Sequence, residues 1–534
     1  MEREHLSFSG HGHGHGHGLS SSINNDTNDT NDTNDDTITS SGNSNISLSL
    51  MIRVLLITCQ SFLLGYNLAS LNACVVKCDS ANGEGYCDEY PGTIYNDINL
   101  SDNNVQLATS LLVIGAWMGC LIGAKPAESI GRRKTLLFNC FFFIIGGIIE
   151  GIANRYCLYI GKFLTGIGTG ICSVLCPLLL SEISSADTRG FITTLHQLNV
   201  TIAIFAADIM GFIFVNNVNH GWIYVQVFTI VPAVIQLVFA SYIPESPKWL
   251  LTRGKQDETM VILSTLRQHG YNIQEEVNQL LQELRSDSEV ATWTDVFQAK
   301  KALYIGCGLM FFQAITGINS VILYSTTIFK IAGFKGTLLA TSLVGLTNVV
   351  FTMVACRLVD IMGRKILLLI GLLLMLVSLV ILSITLLAAN SHPSTQGIVA
   401  VIMVLVFIAG FAIGLGAVCW VILSEIMSTK LRSKAMSLFL SINWGFNLII
   451  SLFTLTLINA FGNVDTNADD IIFEAEQKNG VGRLYIVFAG FTLISFLFVL
   501  FYVPETKGSS SDVQLSKPLL SIDDDQDNIV NQKI

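Results

Sequence analysis

The amino-acid sequence predicts an all-α membrane protein in which twelve transmembrane helices form two six-helix bundles, joined by a polar linker with short helices. The first observation is composition: 51% of the 534 residues are hydrophobic and 13% are charged, whereas soluble domains average about 25% charged residues. The second is a series of apolar runs long enough to cross a bilayer. The third is a pair of charged motifs that recur in the same order in both halves of the chain.

Apolar runs of about 20 residues define the twelve predicted spans. In the first half they lie at 52–73, 105–124, 135–153, 157–180, 191–214 and 222–243. In the second half they lie at 303–330, 337–358, 366–389, 397–422, 434–460 and 484–503. The predicted segments are a disordered tail at 1–50, a six-helix bundle at 51–244, a linker with short helices at 245–301, a second six-helix bundle at 302–508 and a disordered tail at 509–534.

The two tails are polar and low in complexity. The first contains an alternating His-Gly tract at 11–18 and three Asn-Asp-Thr repeats, a composition that cannot bury a core. Histidine-rich tracts can bind metal ions, but this one offers no fixed ligand geometry, so we expect a solvated tail and no metal site. Much of the net charge of -10 lies in tails and loops, and no basic surface suggests nucleic acid as a partner.

The distribution of Lys and Arg predicts which end of the bundle faces the cytosol. Basic clusters follow the second, eighth and tenth predicted spans, at Arg132–Lys134, Arg364–Lys365 and Lys430–Lys434. A twelve-span topology puts all three clusters on one side of the membrane. We therefore expect that side, and both termini, in the cytosol.

The first predicted outer loop carries two candidate modification sites. Asn99 begins an Asn-Leu-Ser glycosylation sequon on the correct side of the membrane, so we expect a glycoprotein. Cys78 and Cys87 share this loop and could form a disulfide, although Cys74 is an alternative partner. An outer sequon implies the secretory route, and the plasma membrane is its simplest destination.

Two charged motifs indicate an internal repeat. The second and eighth predicted spans end in similar strings, Glu128–Lys134 and Asp360–Lys365, and the fourth and tenth are each followed by a glutamate and, seven residues later, an arginine. Four matching positions indicate a duplication of six helices. Topology-setting charge explains the bases but not the acids beside them, so we expect charge networks that hold the cytosolic face shut in one conformation. The predicted gate charges are Glu128, Arg132, Arg133, Glu182, Arg189, Asp360, Arg364, Glu425 and Arg432.

Lys162 and Asp208 are charged residues deep inside predicted spans of the first half, where charge is costly and usually functional. Lys162 in the fourth span is expected either to reach the membrane interface or to face a central cavity. Asp208 extends a polar face of the fifth span that begins at His196 and Gln197, and its distance along the helix places it near the outer interface. A proton-relay role for Asp208 is the less favoured interpretation.

The seventh predicted span contains two amides, Gln313 and Asn319, in an otherwise apolar run. On a regular helix a separation of six residues places them about 120° apart, so both can face one cavity only if the helix is irregular. Thr316 and Gly317 lie between them and could permit a break. Because broken helices near the bilayer midplane form the substrate site in many secondary transporters, this stretch suggests transport of a polar solute.

Further neutral polar and aromatic residues lie in the later spans. They are Tyr324, Asn348, Trp420, Asn443, Trp444 and Asn447. For any single amide, hydrogen bonding between helices is an equally good explanation. As an uncharged set they are more typical of a carbohydrate site, because amides donate to and accept from hydroxyl groups, and aromatic rings pack on the apolar face of a pyranose.

Eight strings match a pattern shared by one known family. They are Gly65–Asn67, Gly131–Arg133, Glu182 with Arg189, Leu195–Leu198, Pro244–Pro247, Gly317–Asn319, Asn443–Trp444 and Pro504–Gly508. Together they resemble the sugar porter family of the major facilitator superfamily, and its facilitative glucose transporters in particular, over about residues 50–508. The resemblance implies the major facilitator fold and hexose transport. It places substrate contacts on Gln197, Gln313, Asn319, Asn348, Trp420 and Asn447, with Asn443 close by.

The chain also departs from the family pattern. Ala314 stands where the family usually has a second glutamine, Leu323 replaces a tyrosine, and Ala412 replaces a glutamate. Lys162 replaces the usual arginine of the fourth span. The proline-rich stretch that bends the tenth helix in the family reads Leu415–Cys419 here and contains no proline.

The expected function is facilitative (uniport) transport of hexose by alternating access, with glucose as the first candidate substrate. Proton-coupled relatives usually carry Asp where this chain has Asn67, and an amide cannot carry a proton. The alternative is a proton-coupled sugar or polyol symporter, and a lesser one is a non-transporting sugar sensor. We expect no enzyme activity and no cofactor, because the sequence shows no phosphate-binding loop and no paired acid and nucleophile.

Overall fold

The computed structural model describes residues 47–76, 90–98, 100–185, 188–268, 270–286, 293–334, 336–388, 393–427, 429–464 and 470–506. Within these ranges the chain is helical and contains no β-strand. Eleven helical segments of the described chain are long and apolar enough to cross a membrane. The predictions for the His-Gly tract, Cys78, Cys87, Asn99 and the C-terminal tail fall outside the described residues. Cys74 is described, and it is a free, buried thiol.

The membrane helices of the first half follow the predicted order. They are α1 (Leu48–Ser70), α2 (Asp102–Ser129), α3 (Arg132–Glu150), α4 (Arg155–Ile183), α5 (Arg189–Asn217), α6 (Gly221–Val227) and α7 (Ile230–Val238). α6 and α7 together form the sixth segment, Gly221–Val238. α3 is not one of the eleven apolar segments, because its 19 residues begin with three bases and end with Glu150. It nevertheless occupies the place of the third predicted span and packs against α4.

Short helices form the linker, as the sequence predicts. They are α8 (Pro247–Thr252), α9 (Gln256–Leu266), α10 (Ile273–Ser286) and α11 (Trp293–Gln298). α8 begins where the Ser246 hydroxyl accepts a hydrogen bond from the Trp249 N–H at 3.1 Å, with Pro247 in the first helical position, a favoured helix start. α8, α9 and α10 then share a small apolar core around Leu251, Leu263 and Val277.

The second half repeats the arrangement but interrupts two of its membrane segments. Its helices are α12 (Lys300–Ile315), α13 (Ile318–Ile331), α14 (Thr337–Met362), α15 (Arg364–Leu387), α16 (Pro393–Phe411), α17 (Val418–Ile426), α18 (Thr429–Gly462) and α19 (Asp470–Tyr502). α12 and α13 form the seventh segment, and α16 and α17 form the tenth.

Close helix packing holds each half together and joins the halves along two seams. α2 packs against α4 and α1 against α5, while α15 packs between α16 and α19. A side chain at Gly170 of α4 would overlap the Ala116 carbonyl of α2, the close approach that small residues permit between membrane helices. Between the halves, α5 packs on α14 and α2 on α18. These seams surround a central cavity.

We call the end of the molecule that carries the α2–α3 turn, the α14–α15 turn and the linker helices the charged end. The other end is closed by contacts between the halves. Asn72 Nδ2, just after α1, donates to Ser325 Oγ of α13 at 2.9 Å. The Tyr324 hydroxyl lies 2.7 Å from Thr109 Oγ1 of α2 and donates to the Ser451 carbonyl at 2.8 Å.

Candidate functional site

The break in the seventh membrane segment sits at Gly317. This residue adopts φ 92° and ψ 9°, a left-handed conformation that costs other residues about 1–2 kcal/mol. A Cβ at position 317 would also lie 2.5 Å from the Phe488 ring. α12 therefore ends at Ile315 and a new helix starts at Ile318. The predicted irregularity is confirmed, and it lets Gln313 and Asn319 face the same cavity.

The structure brings all seven predicted substrate-binding residues to one central cavity between the halves. Its lining includes Gln197, Gln313, Asn319, Asn348, Trp420, Asn443 and Asn447. The space not filled by protein atoms, including the part open to solvent, is about 740 Å³. The role of these seven residues in binding sugar stays a prediction, whereas their position on one cavity is a feature of the structure.

Four of these amides form a directed chain of hydrogen bonds across three elements. Asn319 on α13 donates to Asn447 on α18. Asn447 Nδ2 then donates to Asn443 Oδ1 at 2.9 Å, and Asn443 Nδ2 donates to Gln313 Oε1 at 2.9 Å. Gln313 Nε2 completes the chain by donating to the Leu415 carbonyl at 2.8 Å. Bonds aligned in one direction polarise one another, so these amides are held as a unit.

The chain of amides ends on a π-helical turn in the tenth segment. Residues Ala412–Gly416 form this turn between α16 and α17, and its wider winding leaves carbonyl groups available to a side chain. The sequence contains no proline here, so the turn could not be predicted from the family pattern. The glycines at 414 and 416 are the local signal.

Three polar groups in the cavity lack a protein partner. Asn348 Oδ1 on α14 is buried without a hydrogen bond. The Gln197 and Trp420 side chains, on α5 and α17, make no hydrogen bond with the described residues. Buried polar groups are normally paired, so Asn348 Oδ1 is positioned for a ligand or water, and the partly buried Gln197 and Trp420 side chains are open to the same cavity. No group of three His, Cys, Asp or Glu in the described chain could hold a metal ion.

The central cavity continues toward the charged end. A second cavity shares His196, Gln197 and Trp420 with it and extends to Ser181 and Arg189, where α4 ends and α5 begins. The His196 and Trp420 rings meet edge to face at 6.1 Å between centroids.

Tyr324 does not line the central cavity. Its prediction as a site residue is wrong, because its hydroxyl closes the opposite end instead.

Charged residues in the first half form a network around the start of α3. Arg132 Nε and Nη2 each donate to the Glu182 carboxylate at 3.1 Å. Glu245 Oε1 accepts from the backbone N–H groups of Arg132 at 2.8 Å and Arg133 at 3.1 Å. The carboxylate of Glu245 thus caps the helix, where negative charge is favourable.

The second half repeats this network. Arg364 Nη2 donates to Glu425 Oε1 at 3.0 Å, and Glu505 accepts from the backbone N–H groups of Arg364 at 2.8 Å and Lys365 at 3.0 Å. Glu245 and Glu505 were missed as members of the charge network. Their shared signal in the sequence is a Pro-Glu pair at the end of each half.

Of the other predicted gate charges, the Glu128 and Arg189 side chains are not part of these networks. Glu128 and Arg189 make no ion pair with the described residues. The side chains of Asp360 and Arg432 fall outside the described structure. Both observed pairs join helix ends within one half, so in the described chain no gate pair bridges the two halves while the cavity extends to the charged end.

Lys162 occupies neither of its two predicted positions. Its side chain is 0% exposed, and its Nζ lies 3.1 Å from Glu150 Oε2. It also donates to Gln226 Oε1 at 2.8 Å and Ser70 Oγ at 3.0 Å. The ion pair lies inside the first half and does not line the central cavity. The long side chain turns inward because α3 supplies a buried carboxylate, Glu150, which was not among the predicted functional charges.

Two further polar residues of the first half also lie away from the central cavity. Asn67 Nδ2 donates to Thr229 Oγ1 at 2.7 Å and to the Leu63 carbonyl at 2.8 Å. Asp208, predicted near the outer interface, is likewise absent from the cavity lining. It is 3% exposed and packs against Gly345 of α14, at the seam between the halves.

Comparison with known proteins agrees with this architecture. The family described as "Sugar (and other) transporter" matches residues 53–514. The plastidic glucose transporter 4 of Arabidopsis thaliana is 32% identical over 424 residues, covering 78% of this chain and 73% of its own length. The facilitated glucose transporter protein 1 of Caenorhabditis elegans is 31% identical over 475 residues, covering 85% and 88%.

A solved structure extends the agreement to the fold. The proton:xylose symporter XylE bound to 6-bromo-6-deoxy-D-glucose aligns with a TM-score of 0.69 and 25% identity, covering 87% of this chain and 98% of that one. These similar proteins are named as transporters, not as enzymes. Their names include both facilitated and proton-coupled carriers, so they agree on sugar and differ on coupling. The chain belongs to the sugar porter family of the major facilitator superfamily.

Proposed function

We propose that this protein catalyses facilitative (uniport) transport of hexose, with glucose as the first candidate substrate, by alternating access. The observation that carries the proposal is the central cavity, which is lined by neutral amides and tryptophans and by no Asp, Glu, Lys or Arg among the described residues. A neutral lining suits a sugar, because each hydroxyl both donates and accepts hydrogen bonds.

Within the cavity, different residues have different tasks. The amide chain that runs from Asn319 to Gln313 presents a rigid polar wall on the second half. The partner-free groups of Gln197, Asn348 and Trp420 supply the open contacts. The indole of Trp420 offers an apolar face to a pyranose ring. Because Gln197 lies on the first half, a bound sugar would contact both halves and could favour the conformation in which they close around it.

The proposal of uniport is supported by the neutral residue at position 67. The Asn67 amide is committed to Thr229 and a backbone carbonyl, and the buried Lys162 and Glu150 form an ion pair with each other. The main alternative remains a proton-coupled sugar or polyol symporter, since the relatives include one. A non-transporting sugar sensor is the lesser alternative.

The transport cycle follows from the two ends of the molecule. We assign the charged end and both termini to the cytosol, and the plasma membrane as the location. The segments 51–244 and 302–508 would then rock against each other, and the cavity that reaches the charged end belongs to an inward-facing state. In the outward-facing state the hydrogen bonds of Tyr324 and Asn72 across the opposite end would break.

The test is uptake of radiolabelled glucose, fructose and inositol into transporter-null cells, with and without a protonophore. We expect saturable glucose uptake that the protonophore leaves unchanged. Uptake that collapses with the pH gradient would replace uniport by symport. Inositol uptake that exceeds glucose uptake would replace hexose by polyol, and surface expression without uptake of any of the three would favour the sensor.

A further inference from the structure

A separate cavity at the charged end carries a concentration of positive charge. It lies between the start of α1, the start of α3 and the linker helices α8 and α9. Four bases line it: Arg53, Arg133, Lys134 and Lys255. It shares no lining residue with the central cavity, so the proposed transport function does not account for it.

The acids in this cavity leave most of the positive charge unpaired. Glu258 pairs with Lys255 at 2.7 Å, and the Glu245 carboxylate is occupied by backbone N–H groups at the start of α3. The guanidinium groups of Arg53 and Arg133 donate only to uncharged groups. Arg133 Nε is buried and has no hydrogen-bond partner. The Lys134 side chain is exposed and has no partner among the described residues.

The cavity adjoins an apolar surface. Phe138 and Phe141 on α3 are 58% and 49% exposed, and Val238 and Phe239 at the end of the sixth segment are 69% and 45% exposed. Tyr242 lines the cavity and is itself half exposed. Since this surface belongs to membrane-spanning helices, hydrocarbon chains cover it. A ligand that uses both parts is therefore anionic at one end and apolar at the other.

The second half lacks this combination. By the internal repeat, Lys365 occupies the position of Arg133, and Ile366, 49% exposed, occupies the position of Lys134. The linker helices α8 and α9 line the cavity of the first half. The basic cavity is therefore not a by-product of the duplicated turn motif.

We propose that this cavity binds the phosphate-bearing anionic headgroup of a membrane phospholipid, whose acyl chains lie along α3 and the end of the sixth segment. Guanidinium groups match phosphate oxygens in charge and geometry. Basic pockets between membrane helices near the cytosolic face are suited to such headgroups. Bound there, the lipid would join α1, α3 and the linker helices, and so would link the linker to the first half.

The test uses the full-length protein in a neutral detergent and native mass spectrometry. The probe is dioctanoyl phosphatidylinositol 4-phosphate, with dioctanoyl phosphatidylcholine as the net-neutral comparison. The test variant is Arg133→Gln with Lys134→Gln, and the matched control is Lys365→Gln. Each basic residue near a membrane surface contributes about fivefold in affinity, so we expect the double variant to bind the anionic lipid about 25-fold more weakly and the control to bind it as the wild type does.

The outcomes separate the explanations. One tightly bound anionic lipid, lost in the double variant and retained in the control, supports the proposal. Displacement of that lipid by inorganic phosphate at equal concentration would identify a site for soluble anions and overturn it. Equal weakening in Lys365→Gln, or equal binding of phosphatidylcholine, would also overturn it. Lys134→Gln alone, which removes an exposed side chain without a partner, decides the matter if the double variant misfolds.

Discussion

The two halves of this transporter repeat the same helices and the same capped arginine–glutamate pairs, yet their interiors are different. The first half buries a charged pair, Lys162 with Glu150, away from the central cavity. The second half places neutral amides on the cavity and ties them to a helix break and a π-helical turn. A duplicated scaffold has therefore kept its capped arginine–glutamate pairs in common while its membrane core has diverged.

The difference suggests a division of work between the halves. Six of the seven predicted site residues lie in the second half, and only Gln197 lies in the first. The first-half helices that line the cavity, α1, α4 and α5, are continuous. The second half contributes the interrupted segments α12–α13 and α16–α17. We infer that the first half acts as a rigid frame, and that the second half binds sugar and bends around it.

The largest expected effect is a loss of stability when the buried ion pair of the first half is broken. Glu150→Gln leaves the Lys162 ammonium buried without a counter-charge, and breaking a buried ion pair on one side costs about 3–5 kcal/mol. We expect a large fall in the thermal stability of the purified protein. The matched control is Glu258→Gln, which removes an exposed pair and should cost less than about 1 kcal/mol. If Glu150→Gln is as stable as Glu258→Gln, the buried pair does not stabilise the first half as a rigid frame.

The second prediction separates binding from structure within the site. Gln197 has no protein partner, so Gln197→Ala should lower sugar affinity by about tenfold, the loss of one or two hydrogen bonds, with little change in stability. Gln313→Ala should lower affinity without altering surface expression, but it also frees the Leu415 carbonyl and Asn443, which costs about 1–3 kcal/mol. Uptake kinetics and thermal unfolding of both variants provide the measurement. If Gln197→Ala and Gln313→Ala lower the unfolding temperature equally, the hydrogen bonds of the amide chain do not contribute to stability.

The third prediction concerns the break in the seventh segment. Gly317→Ala forces a left-handed backbone onto an alanine, at about 1–2 kcal/mol, and brings its Cβ against Phe488. We expect a less stable protein with slower glucose uptake at equal surface expression. Gly490→Ala on α19 is the control, because nothing lies within 4 Å of its added Cβ. If the two variants behave alike, the break does not need glycine.

The smallest expected effect compares the repeated charge pairs. Arg132 makes two bonds to Glu182, with both side chains nearly buried, whereas Arg364 makes one bond to Glu425, whose side chain is 28% exposed. Partly exposed ion pairs contribute about 1 kcal/mol or less. Arg132→Gln should therefore change the uptake rate a few-fold, and Arg364→Gln should change it less. The reverse order would show that the second half controls closure of the charged end.

Much of this architecture is readable from local sequence. Apolar runs predict the membrane segments because the bilayer requires a minimum length, and the break at Gly317 is predictable because two costly amides are separated by the wrong angle for a regular helix. The convergence of the seven site residues follows from the family resemblance. The internal repeat is visible because each charged motif is contiguous or nearly so.

Other features depend on how helices rotate and pack. Lys162 could not be assigned, since its partner Glu150 lies on another helix and only packing of α3 on α4 brings them together. The same holds for Glu245 and Glu505, which cap helices more than a hundred residues away. The sequence by itself determined the membrane segments, the repeat and the neutral chemistry of the site. Tertiary structure decided which polar groups pair with each other and which remain available, because a side chain's partner depends on the neighbouring helix it faces and not on its own.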